Sequence, residues 1–418
     1  MIFLIFLAYL VVIGIGYWLK YLNLSYLKVH GHTVPPEFEG FIDPAALRRI
    51  SDYTLENNRL GLIESLFNNL LLVIFFFGGL IGYYDRWIAS LTASFVWAGC
   101  LFFIILQLAG TVLDIPFSLY RNFTIENRYG FNTMTLRLWL SDFFKSTIIS
   151  LVLATLVILI VLNIILVSPM WWWLWVWVFM LLFGIFMLYV SPYVIEPLFF
   201  KFEPVKAEGL EEKIRSLMER TGLKVSRVFQ VDASRRSRHS NAYFTGIGRV
   251  KRIILFDTLI QQMSQDEILA VLAHEIGHWK KRHILKHIIR AETMAFAGLL
   301  LAFHLLSWQG LPHAIGLTGV SFYARAAIVG FLFSIAIFPL TPLSNFLSRR
   351  DEGAADQFAS ELTNHQDAMV SALIKLSCEN LSNLHPHPLY AKVYYSHPPV
   401  VERIRNLKRL GTGPNNRE

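Results

Sequence analysis

Long apolar runs alternate along this chain with shorter basic segments. A helix crossing a bilayer needs about 20 mostly apolar residues. Seven stretches qualify, at roughly 2–20, 61–83, 86–113, 146–168, 171–191, 284–307 and 321–345. The apolar run 147–190 is too long for one span, and Ser168-Pro169-Met170 splits it into a tight hairpin because proline cannot continue the helix. The first run lacks the basic flank and small-residue cleavage site of a signal peptide, so it is expected to be a retained span. Helical runs of this length exclude a transmembrane β-barrel.

Between the runs lie two substantial polar segments. Residues 196–283 predict a helix over about 208–222, a strand near 227–231, and a polar loop over Ser234–Ser240. Two further strands follow, at Asn241–Phe244 and Arg252–Phe256. Ser264-Gln265-Asp266-Glu267 then forms a capping box. The helix it opens is expected to continue into the sixth span. Residues 346–418 predict helices around 348–362 and 366–383, a Pro/His-rich loop over 385–399, and a last helix from about 400. The division expected is 1–195, a transmembrane region of five spans with its loops, and 196–418, a protease region holding the other two spans.

Composition agrees with a membrane protein, since 54% hydrophobic residues and a mean hydropathy of +0.46 are too apolar for an ordinary soluble domain. A net charge of +8 is compatible with nucleic-acid binding, but its distribution gives a better account. With seven spans, 36 of the 38 Lys and Arg fall on one side, leaving Arg86 and Arg325 for the other. That is the positive-inside pattern, which places the basic face in the cytoplasm and the N-terminus outside, and no nucleic-acid partner is expected. Cys100 and Cys378 are distant from each other and are expected to be free thiols. Trp171, Trp172, Trp173, Trp175 and Trp177 are expected to form an interfacial aromatic belt. Glu64, Asn68, Asn69, Gln107, Asp114 and Asn163 lie in spans, and either line a wet chamber or bond neighbouring helices.

The capped helix carries His274-Glu275-Ile276-Gly277-His278. Two histidines at i and i+4 share a helix face and can reach one zinc ion, while Glu275 is placed to take a proton from the attacking water. Catalytic zinc usually takes a third protein ligand. The best candidate follows the seventh span, in Ser348-Arg349-Arg350-Asp351-Glu352-Gly353-Ala354-Ala355-Asp356. Glu352 can ligate, and Asp356, one turn on, can accept the second N–H of a ligating histidine. His283 and His287 have the same spacing but no intervening Glu, and Lys280, Lys281 and Arg282 surround them. A position at the membrane interface is expected for both. The fold class is therefore mainly α: a polytopic seven-helix membrane protein with a cytoplasmic-side zinc metalloprotease domain containing a small β-hairpin.

The blocks HEIGHW and SRRDEGAAD together resemble the type I CAAX prenyl endopeptidase family. Further blocks agree, in order: Phe123 to Asn132, Pro192 to Phe202, His239 to Gly246, and Ser396-His397-Pro398-Pro399 followed by Arg403-Ile404. The resemblance implies one zinc per chain, held by His274, His278 and Glu352, with Glu275 as general base. It implies substrates that are prenylated proteins with CAAX tails, from which the last three residues are removed. The strand at Asn241, Ala242 and Tyr243, just before the HExxH helix, is either an edge that holds the substrate backbone or an ordinary hairpin, and the resemblance implies that His397 stabilises the transition state. Arg349 and Arg350 either bind a substrate carboxylate or support the structure. The chain looks plainer than eukaryotic members and shows no ER-retrieval tail, so a bacterial inner membrane is expected, or the ER membrane for a eukaryotic source. The rivals are a broad-specificity quality-control metalloprotease and a transporter or channel with an incidental HExxH.

Overall fold

The computed structural model describes residues 1–222, 224–245, 250–314 and 316–411. Gly246, the end of one motif block, lies outside them. Among the described residues seven helices are long and apolar enough to cross a membrane: Ile2–His30, Pro44–Phe76, Phe95–Glu126, Leu136–Val167, Trp172–Leu198, His283–Ser307 and Phe322–Thr363. Their starts are chemically marked. The Asp43 side chain accepts from the Ala46 backbone N–H at 2.7 Å, with Pro44 in the first helical position. Ser94, Thr135 and Ser321 cap their helices in the same way.

Three boundaries differ from expectation. The expected third span is two helices, Leu80–Leu91 and Phe95–Tyr120, because the chain is extended at Thr92 and Ser94 caps a new start. The seventh span does not stop near 345 but passes through a short 3-10 turn into Thr341–Thr363, so the helix bearing Glu352 is a continuation of a span. The helix bearing His274, by contrast, does not run on into the sixth span. It ends at Lys280, Arg282 adopts a left-handed conformation (φ 57°), and a new helix starts at His283.

The aromatic belt is also thinner than expected. Trp172 is buried in the membrane core, and Trp173 and Trp177 set their rings edge-on to Phe296. Only Trp171 and Trp175 of the five are exposed.

The polar region holds a four-stranded sheet rather than a lone hairpin. In chain order the strands are β1 (Phe202–Pro204), β2 (Lys224–Val231), β3 (Ala242–Thr245) and β4 (Val250–Phe256), and their order in space is β1-β2-β4-β3. β2 runs parallel to β4, while β1 and β3 are antiparallel to their neighbours. The three residues of β1 are too short a run to register as a strand in the sequence. Among the described residues β3 pairs only with β4, which leaves its other edge free of them. The sheet packs on the helix Leu210–Arg220 and the His274 helix through Leu210, Ile214, Ile253, Leu255, Leu272 and Ile276, all buried. A second core joins the two halves of the chain, setting Phe38, Ile50 and Phe131 against Ala270, Leu373 and Ile404.

Candidate active site

Both halves of the capping box form: the Ser264 N–H donates to Glu267 Oε2 at 2.7 Å, and the Glu267 N–H donates to Ser264 Oγ at 3.3 Å. This fixes the start of the helix Gln265–Lys280, and three turns later His274 and His278 leave it on one face. The helix Thr341–Thr363 lies against that face and supplies Glu352.

The three side chains converge. His274 Nε2 and His278 Nε2 are 3.0 Å apart, and the Glu352 carboxylate lies 3.4 Å from the first and 3.1 Å from the second. One ligand atom from each of the three falls within 4.8 Å of the others. The donor set of two imidazole nitrogens and a carboxylate oxygen suits a metal that prefers N/O ligands. Glu352 Oε2 is buried and makes no hydrogen bond among the described residues, an orphan that a bound cation would satisfy. Burial alone would lower the His274 pKa, but the Asp356 and Glu352 carboxylates outweigh it and raise the value to about 9, the mark of a strongly anionic pocket. The residues fit a metal.

Asp356 sits on the outer side of His274, its Oδ1 2.8 Å from Nδ1 though off the ideal hydrogen-bond direction. It is held in turn by Arg403, which donates Nε and Nη2 to the two carboxylate oxygens at 2.8 and 2.6 Å. In the sequence Arg403 stands only within a motif block. Its single sequence signal is an arginine in an otherwise ordinary amphipathic helix, Val400–Gly411, so its role emerges only from the packing.

A cavity of about 530 Å³ opens beside these residues, and His274, Glu275, Glu352, Asn241, Ala242 and His397 line it. Met369, Leu373 and Leu376 form an apolar wall. His397 Nε2 is 3.4 Å from Glu352 Oε1. The Asn241 side-chain oxygen accepts from the Ala242 N–H at 2.8 Å, and its carbonyl accepts from Phe256 N–H at 3.0 Å, which fixes the start of β3. Tyr243 points elsewhere, its hydroxyl donating to Glu196 at 2.9 Å, as the alternation of side chains along a strand requires. Arg349 donates to the carbonyls of Ala391 at 3.3 Å and Tyr395 at 2.6 Å, and Arg350 is exposed. Neither arginine is among the described residues lining the cavity.

His283 and His287, expected at the membrane interface, take different places. His287 is half exposed, whereas His283 is only 2% exposed and lies against His278.

Residues 23–201 match a family described as CAAX prenyl protease N-terminal, five membrane helices, and residues 204–410 match peptidase family M48. The chain belongs to the CAAX prenyl protease group of family M48. Among its relatives, a CAAX prenyl protease 1 homolog of Arabidopsis thaliana is 37% identical over 71% of this chain and 70% of its own length. CAAX prenyl protease 1 of Saccharomyces cerevisiae is 32% identical over 92% of this chain and 90% of its own. The crystal structure of S. mikatae Ste24p superposes with a TM-score of 0.86 at 30% identity, covering 93% of this chain and 95% of that one. This M48 protein is thus an integral membrane metalloendopeptidase, with peptide or protein substrates and a metal cofactor.

Proposed function

We propose that the chain cleaves prenylated proteins near their CAAX C-terminus, using one zinc ion held by His274, His278 and Glu352. The observation that carries this reading is the convergence of those three side chains at the floor of a cavity that Glu275 also lines. Bound there, zinc supplies Lewis-acid polarisation of the scissile carbonyl and lowers the pKa of the attacking water. Glu275 takes the proton from that water and returns it to the leaving amine. Asp356, held by Arg403, sets the orientation of His274. The free edge of β3 pairs with an extended substrate by main-chain hydrogen bonds, with Asn241 and Ala242 facing the cavity. His397 donates a hydrogen bond to the oxyanion as charge develops on it.

The concentration of positive charge on one side of the spans supports a cytoplasmic site. The membrane proposed is the inner membrane of a bacterial cell, or the ER membrane for a eukaryotic source. The two-part division at 195/196 is proposed as the functional one, with both parts sharing a core.

Cleavage of a farnesylated CAAX peptide beside its unprenylated twin tests the substrate, with the purified Glu275→Gln protein as the blank. Cleavage of the lipidated peptide alone is expected. Equal cleavage of both would replace the reading with broad membrane proteolysis.

A further inference from the structure

The two histidines of the metal cluster face it through the same ring atom, but their outer nitrogens meet different partners. His274 turns its Nδ1 towards a carboxylate, that of Asp356 at 2.8 Å. His278 turns its Nδ1 towards another imidazole, the Nδ1 of His283 at 3.1 Å. A neutral imidazole has one donor and one acceptor nitrogen. If His278 Nε2 offers its lone pair inward, beside His274 Nε2 and Glu352 Oε1, its proton sits on Nδ1. His283 Nδ1 must then accept that proton's hydrogen bond, which puts the His283 proton on Nε2. That atom faces Asp351 Oδ1 at 3.6 Å. Asp351 is itself fixed, its other oxygen lying 2.9 Å from Arg290 Nη2 and 3.2 Å from His287 Nε2.

From this geometry we infer that His283 is a positioning residue for the metal centre, passing the orienting pull of Asp351 through its ring to His278. The inference rests on the proposed metal set. It accounts for three features that the set alone leaves unexplained. His283 is buried although it opens a helix that leads into a membrane span. The preceding Arg282 holds a left-handed backbone that most residues avoid, and this break between the two helices turns His283 back under His278. Asp351 directly precedes Glu352 on one helix, with Asp356 one turn further on, so this single helix supplies a ligand and the outer partner for each histidine. One partner acts directly and the other through an interposed ring.

Outer partners of ligating histidines typically change metal affinity by 10–100-fold when removed. Zinc affinity, measured by chelator competition on the full-length protein in detergent, is therefore expected to fall about 10–100-fold in His283→Ala. The visible spectrum of the cobalt-loaded protein should change with it. His283→Asn places an acceptor where Nδ1 stood and is expected to recover most of the affinity. Asp351→Asn should weaken zinc several-fold in the wild-type background and add nothing further in His283→Ala, because its effect passes through His283. Wild-type affinity and an unchanged cobalt spectrum in a folded His283→Ala protein would overturn the relay. Equal Asp351→Asn effects in both backgrounds would do the same. Should His283→Ala fail to fold, His283→Asn and its cycle with Asp351→Asn carry the test, and no coupling between them refutes it. Absence of stoichiometric zinc from the wild-type protein would instead refute the metal reading itself.

Discussion

Gly277 and Ala355 bring the two ligand-bearing helices into backbone contact. A Cβ on Gly277 would stand 3.0 Å from the Ala355 Cα and 3.1 Å from its carbonyl oxygen. Glu352 and Asp356 reach the HExxH histidines because nothing larger separates the helices there. Gly277→Ala is expected to push them apart, costing about 1–3 kcal/mol of stability. Metal content should fall more than the loss of stability alone explains. Melting curves with and without added zinc measure both. An unchanged zinc affinity would show that the contact does not set the ligand geometry.

Glu275 lines the cavity but is not among the three converging ligands. Glu275→Gln should therefore keep its metal while turnover drops by at least about 10²–10⁴-fold, the usual contribution of a positioned base. His274→Ala should lose metal and turnover together. Atomic absorption on both purified proteins, beside a peptide-cleavage assay, separates the roles. Full activity in Glu275→Gln would refute the mechanism.

Arg349 ties two backbone carbonyls, those of Ala391 and Tyr395, just ahead of the loop that presents His397. This engagement favours a structural role over recognition of a substrate carboxylate. Arg349→Ala is expected to lower the melting temperature and kcat with little change in KM. A rise in KM at constant melting temperature would reverse the assignment.

The spans and the HExxH helix were legible because each is a long periodic or apolar run, and periodicity survives without tertiary knowledge. Glu352 was legible because a small-residue stretch set an acidic pair on one helix face. Arg403, His283 and the direction of Tyr243 were not, since each depends on which elements come together. The break at Arg282 was invisible for a related reason. A left-handed arginine carries no sequence mark of the kind a glycine or proline leaves. The parallel pairing of β2 with β4 likewise needs a crossover that local patterns do not specify.

His239 offers a pH-dependent test of how the membrane part grips the protease part. Its Nε2 lies 3.1 Å from Glu126 Oε2, its Nδ1 3.0 Å from Asn380 Oδ1, and its ring stacks on Phe131 at 4.0 Å. Oxygen acceptors on both ring nitrogens favour the doubly protonated imidazolium. Burial works against that charge, but Glu126 and Asn380 outweigh it and the His239 pKa is raised. A raised pKa in the folded state means that the protonated form stabilises the fold. That contribution is complete below the unfolded value of about 6.5 and is lost as pH rises through the higher folded value. The melting temperature of the wild type should therefore exceed that of His239→Gln most at the acid end of a series from pH 6 to 9. The gap should narrow steadily towards pH 9. The adjacent Ser240 and Asn241 line the cavity, so peptide affinity is expected to follow the same trend. A gap in melting temperature that stays constant across the series would show that the ring contributes only packing against Phe131.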